Sequence, residues 1–103
     1  MSSSYSTPTL VMNIKREYFA AILALPRRKT IEYREDSAYW RVRLAKVGPA
    51  PFNLRLLNGM QPPVPEATIR VVKVVRKAKE IQLHLGRVLE VRHWNRAKER
   101  PTK

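Results

Sequence analysis

The sequence predicts an α+β domain, and three observations carry that expectation. Apolar residues recur at helical spacing in two stretches of the N-terminal half, alternating strand-like segments fill the C-terminal half, and proline and glycine separate the pieces. At 103 residues the chain has the length of one domain. A domain of this size buries roughly 60 to 70% of its unfolded surface, so a modest core suffices without covalent staples.

Taken in order, residues 1–9 are rich in Ser and Thr and are expected to form a disordered leader without chemistry of their own. The domain is expected over 10–94, beginning with a strand from Leu10 to Ile14. Residues 15–25 predict an amphipathic helix, because Tyr18, Ile22 and Leu25 fall on one stripe that Phe19 and Leu23 widen, and Pro26 ends it. Lys29 to Arg34 reads as a strand. Its two-residue period sends Ile31 and Tyr33 to one side, the side a core requires, and Thr30, Glu32 and Arg34 to the other. That second side sets a hydroxyl, a carboxylate and a guanidinium together. They fit either a self-paired salt bridge on a wet surface or the polar wall of a small pocket, and periodicity does not choose between them.

Asp36 or Ser37 can cap a second helix from Ala38 to Lys46, in which Trp40 and Leu44 share a face and Arg41 and Arg43 lie away from it. Gly48-Pro49-Ala50-Pro51 reads as a linker. Phe52, Leu54 and Leu56 alternate with Asn53 and Arg55 in a strand that stops at the Asn58-Gly59 turn signal, and the prolines of 60–65 make a stiff extended loop. Ala67 to Val75 is rich in β-branched residues and predicts a central strand, with Ile69, Val71 and Val75 on one face and Val72 and Val74 on the other. After a turn at 77–79, Ile81, Leu83 and Leu85 alternate with Gln82 and His84. Gly86 is expected to end that strand, and Val88 to Trp94 fits a last strand or a short helical turn. Residues 95–103 are expected to be a frayed basic tail. This makes about five or six strands and two short helices.

Twenty-one basic residues against 8 acidic ones give a formal net charge of +13. Such a field attracts polyanions, of which nucleic acid is the commonest partner; solubility alone is the plainer account of it. Basic clusters fall at Arg27-Arg28-Lys29, Arg41-Val42-Arg43, Lys73 to Lys79 and in the tail. The absence of cysteine excludes disulfides, zinc ribbons and thiol nucleophiles and fits a reducing compartment. No apolar run approaches the roughly 18 residues of a membrane span, and the first residues lack a secretory pattern, so a cytoplasmic location without membrane partners is expected.

Met12-Asn13-Ile14-Lys15, the helix with Ile22-Leu23, Arg28-Lys29-Thr30-Ile31-Glu32-Tyr33-Arg34, Tyr39-Trp40-Arg41 and the later run from Ile81 to Leu89 together resemble the ASCH family of the PUA-like superfamily, over roughly residues 12–94. The resemblance implies a small PUA-like β-barrel with two flanking helices near the N-terminus, a cleft lined by the residue matching Lys29, and a link to RNA. Some members hydrolyse acetylcytidine, and there the matching lysine helps to activate a threonine three positions later. Here that position is Glu32, and a carboxylate cannot replace the hydroxyl in that acyl transfer. Thr30 matches the structural threonine beside the lysine.

The candidate nucleic-acid-binding residues are therefore Lys29, Thr30, Glu32, Arg34, Tyr39, Arg41 and Arg43. Lys29, Arg34, Arg41 and Arg43 are expected to hold phosphates, Glu32 to accept from the amino edge of a base, and Tyr39 to stack on it. Trp40, Trp94 and Tyr33 are further aromatic surfaces, with packing the expected role of both tryptophans. If the protein is an enzyme, Lys29 and Glu32 are its catalytic candidates. His84 and His93 have no neighbouring ligands that would complete a metal site, and no Gly-rich phosphate loop or Ser/His/acid set occurs, so no metal or cofactor is expected. The expected partner is nucleic acid, RNA before duplex DNA. The alternatives are an RNA or nucleoside hydrolase, acetylcytidine amidohydrolase or ribonuclease, and an adaptor that meets an acidic protein.

Overall fold

A computed structural model describes residues 7–102. The first six residues of the expected leader lie outside the described residues; Thr9, at its end, already belongs to a strand. The elements are β1 (Thr9–Asn13), α1 (Arg16–Leu23), β2 (Ile31–Glu35), α2 (Ala38–Val47), β3 (Phe52–Leu57), β4 (Glu66–Lys77), β5 (Glu80–Arg92), β6 (Trp94–Asn95) and β7 (Arg100–Pro101). Five strands form one sheet in the order β1-β3-β4-β5-β2, curled into a half-barrel, and β6 pairs with β7 separately. The α+β class is as the sequence predicts. Only β1 and β3 run parallel; the other neighbours are antiparallel.

The core is built by strand alternation. Leu10 and Met12 of β1, Phe52, Leu54 and Leu56 of β3, Ala67, Ile69 and Val71 of β4, and Ile81, Leu83 and Leu85 of β5 all point to the concave side and are buried. Helix α1 covers one end with Phe19, Ile22 and Leu23, and the edge of Phe19 meets the buried ring of Trp94 at 5.0 Å. Helix α2 starts where Ser37 accepts a hydrogen bond from the Trp40 amide at 3.3 Å, and it commits only Leu44 fully to the core. Gly48, at φ 84°, closes that helix in a backbone conformation that side chains disfavour.

Three features of the sheet depart from the pattern expected of the sequence. Gly86 does not end a strand: β5 runs unbroken through it, and the glycine instead lets Val72 approach, since a Cβ there would lie 2.8 Å from the Val72 Cγ1. Of the three register shifts between Thr68 and Lys73, the first two each place an extra residue in β5 and the third leaves Val72 as an extra residue in β4. Beyond this bulge Val74 pairs with the buried Leu83, while Val75 pairs with the outward Gln82, reversing the two valine faces that strict alternation predicts. Third, Asn95, Arg100 and Pro101, within the stretch expected to fray, are paired in β6 and β7.

Across β3 and β4, Arg55 makes a two-pronged contact with Glu66 at 3.0 and 3.1 Å. Hydrogen bonding from Arg55 holds the Glu66 carboxyl below its ordinary range. A carboxyl so lowered stabilises the fold fully above the unfolded value of about 4.3, and the contribution disappears as pH falls through the lower native value. Arg55→Gln is therefore expected to reduce stability at neutral pH and to differ less from the parent in strong acid, which urea unfolding at both pH values measures. Leu54→Ala, wholly inside the core, is expected to cost about 2–5 kcal/mol in the same assay.

Candidate functional site

Strand β2 is an edge of the sheet, and its inner row is charged. Glu32 pairs in register with Leu83 and Arg34 with Ile81, so both acid and guanidinium share the face of two buried aliphatic residues. The side expected to feed the core is the outer one: Tyr33 is 46% exposed, whereas Glu32 is only 4% exposed. The inversion has a physical cause. An edge strand at the open side of a half-barrel needs an inner row that can meet both the core and an open hollow, and two neutralising cations make a buried carboxylate tolerable there.

Those cations are Lys29, whose Nζ lies 3.1 Å from Oε1 of Glu32, and Arg34, whose Nη2 lies 3.1 Å from Oε2. Each carboxylate oxygen is thus held by a different base. Lys29 is positioned by its backbone: its amide donates to Ala21 in α1 at 2.8 Å, the carbonyl of Thr30 accepts from Leu85 at 2.8 Å, and Arg28 donates to the Gly86 carbonyl. The Lys29 ammonium also lies 4.7 Å from the ring centre of Tyr18 and 5.7 Å from that of Tyr33.

Arg34 does more than neutralise Glu32. Its Nε donates to the Met12 sulfur at 3.1 Å and its Nη2 to the Asn13 carbonyl at 3.3 Å. Met12 and Asn13 belong to β1, the opposite edge of the sheet. No backbone ladder joins β1 to β2, so the guanidinium spans the seam of the half-barrel, with its central carbon 5.4 Å from the ring centre of Trp40.

A hollow of about 460 Å³ opens beside this seam. Glu32, Lys29 and Arg34 line it together with Tyr33 and Tyr18, and Asn13, Ile14 and Lys15 form the remaining wall. Its volume lies within the range usual for small-molecule sites. Three cations against one carboxylate give its lining a net charge of +2. The wall at Ile14 and Lys15 is fixed by Asn58, a buried side chain whose Nδ2 donates to the Ile14 carbonyl at 2.8 Å and whose Oδ1 accepts from Arg16.

Of the residues singled out from the sequence, Lys29, Glu32 and Arg34 meet in this hollow. Thr30 is exposed and does not line it. Tyr39 is 61% exposed on α2, edge-on to Trp40 at 5.0 Å, and lies outside the lining. Arg41 pairs with Asp36 at 3.3 Å. Arg43 donates to the Val11 carbonyl at 2.9 Å, stacks near Tyr39 and Trp40, and lines a separate hollow beside β1. The expected set of four phosphate-holding cations is therefore divided: Lys29 and Arg34 line the hollow, and Arg41 and Arg43 do not. Helical spacing placed Tyr18 in an apolar stripe and did not single out Asn13, Ile14 or Lys15. The only signal for them was the Met12–Lys15 segment within the family-like pattern, since their proximity to β2 arises from closure of the sheet.

Among the described residues no group of His, Asp and Glu is arranged to hold a metal, and no helix is long and apolar enough to cross a membrane. Comparison with protein-family models, curated proteins and solved structures returns no match for the chain.

The seam contact yields a stability prediction. Arg34→Met keeps the aliphatic stem but removes the bonds to Glu32 and Asn13, and is expected to cost about 1.5–3 kcal/mol, the range for hydrogen bonds to charged groups. Lys29→Met, which leaves the seam intact, is expected to cost less; urea unfolding of both variants checks the order.

Proposed function

We propose that the chain is an ASCH-type, PUA-like module that binds RNA and takes one nucleoside of it into the hollow at Glu32. The single observation that carries this reading is the buried carboxylate of Glu32, held between Lys29 and Arg34 at the floor of a net-positive pocket with two partly exposed tyrosines on its wall. A carboxylate accepts hydrogen bonds from the amino group of cytosine, adenine or guanine. The exposed rings of Tyr18 and Tyr33 offer faces on which a base can stack, and Lys15 and Lys29 offer positive charge to its phosphate. The excess of 21 basic over 8 acidic residues supports a polyanionic ligand, and the sequence resemblance to the ASCH family supports the same class.

Binding is preferred over hydrolysis because the lining contains neither serine nor threonine. Its only hydroxyls are the phenols of Tyr18 and Tyr33, so the acyl transfer known from acetylcytidine-hydrolysing relatives of the resembling family has no aliphatic hydroxyl nucleophile here. An adaptor role toward an acidic protein uses the charge but leaves the concavity and its buried acid unexplained.

Calorimetric titration with cytidine, adenosine, guanosine, uridine and acetylcytidine tests the reading. Cytidine is expected to bind more tightly than uridine, and Glu32→Gln to weaken it about ten- to a hundredfold, the equivalent of one charge-assisted hydrogen bond. Absence of binding by every nucleoside, together with absence of nucleosides from digested material that co-purifies with the protein, overturns it. Release of acetate from acetylcytidine, lost in Lys29→Ala, would turn the assignment to the hydrolase.

A further inference from the structure

The outer face of β2, β5 and β4 extends the site beyond its hollow. Register aligns three rows across these strands: Ile31, His84 and Lys73; Tyr33, Gln82 and Val75; Glu35, Glu80 and Lys77. Residues directly opposite in a ladder project to the same side, so the rows form one convex surface opposite the buried Leu83 and Ile81. No row is buried: Tyr33, Lys73 and Lys77 are exposed and His84, Gln82 and Val75 half-exposed.

The polar groups of this face are ordered along β5. The Gln82 amide donates through Nε2 to Glu80 at 3.0 Å, and its Oε1 meets the His84 Nε2 at 3.2 Å. The file is thereby held in one orientation, while the second amide N–H of Gln82 and the His84 Nδ1 have no partner among the described residues. Tyr33 belongs to both surfaces, because it lines the hollow and also begins the middle row. From Tyr33 to Val75 is two strand spacings, about 10 Å.

Positive charge completes the surface. Lys73 and Lys77 on its rows, and Lys79 at the turn of the β4–β5 arm, make no ion pair among the described residues, while Arg76, in register with the buried Ile81, belongs to the opposite face. By contrast Lys29, Arg34 and Arg41 are each paired with a carboxylate, and Arg43 is bonded to a backbone carbonyl. Glu35 and Glu80 oppose Lys77 in the row nearest the arm tip, so the face and its turn keep three cations against two carboxylates.

We infer that the convex face of β2, β5 and β4 is a platform for single-stranded RNA, on which the nucleotides next to the one in the hollow pass over Tyr33 and Gln82 with their phosphates toward Lys73 and Lys77. This rests on the nucleoside-binding reading of the hollow and specifies its ligand as a strand. A single strand suits the face because its unstacked bases can lie on an exposed aromatic ring and meet the free donor and acceptor groups of Gln82 and His84. An acidic polypeptide shares only the attraction to lysine and makes no use of Tyr33.

The test compares cytidine, by calorimetry, with a fluorescently labelled eight-nucleotide RNA containing cytidine, by anisotropy over a range of salt, on the parent and on Lys73→Gln/Lys77→Gln. The parent is expected to bind the octamer more tightly than cytidine. The double variant is expected to keep its melting temperature and its cytidine affinity while the slope of log affinity against log salt falls in magnitude by about 1.4, or 0.7 for each phosphate that a lysine no longer neutralises. A second variant, Tyr33→Ala, is expected to weaken the octamer more than cytidine.

An octamer affinity and slope unchanged in the double variant overturns the platform, as does an octamer that binds no better than cytidine, or polyglutamate that displaces it equally at matched charge. Cytidine binding without octamer binding leaves the hollow assigned and removes the platform. Octamer binding that depends on Lys73 and Lys77 but is untouched by Glu32→Gln, in a protein that ignores every nucleoside, keeps the platform and overturns the hollow.

Discussion

The guanidinium of Arg34 stands between two strands that the backbone leaves unjoined. It takes its charge partner from Glu32, two residues before it on β2, and directs its other donors to Met12 and Asn13 of β1 at the far edge of the sheet. A sheet with two open edges exposes unpaired backbone groups on both. In this half-barrel a side chain spans part of the seam, and the hollow lies beside that crossing because no ladder fills the space. The same ion pair therefore contributes to the shape of the barrel and to the chemistry of its opening.

Burial of Glu32 is tolerable only because of this arrangement. An isolated carboxylate at 4% exposure would be costly, and two bases at 3.1 Å, one on each oxygen, offset that cost. The surroundings hold the cations in turn. Lys29 is fixed by backbone bonds to α1 and β5 around it and by the neighbouring ring of Tyr18, and Arg34 lies against Trp40. Orientation of the charged groups thus precedes any ligand, a condition that lowers the ordering cost of binding.

Charge elsewhere is distributed unevenly. Around α2 and the seam Lys29, Arg34, Arg41 and Arg43 are engaged by carboxylates or carbonyls, whereas Lys73, Lys77 and Lys79 of the β4–β5 arm carry no such partner among the described residues. The bulge in β4 contributes to this division. By leaving Val72 as one extra residue between Val71 and Lys73 it turns Val74 inward and Lys73 outward, and Gly86 on the next strand makes room for Val72. A local irregularity therefore decides which face Lys73 and Lys77 take.

Much of the scaffold was legible in the sequence. Helical spacing located α1 and α2 within a few residues, Asp36 or Ser37 offered a cap that Ser37 supplies, and alternation identified the buried face of β3 and the inward Ile81, Leu83 and Leu85. Lys29 and Glu32, the pair at the centre of the candidate site, were singled out together only through the resemblance to the ASCH family. The sequence could not rank the two faces of β2, since apolar content favours Ile31 and Tyr33 inside and only the partners of Glu32 and Arg34 reverse that preference. Nor could it gather Asn13 and Tyr18 at Glu32 or part them from Tyr39, Arg41 and Arg43. Those relations depend on how far the sheet curls and on which side α2 crosses, and both are set by packing between residues distant in the chain.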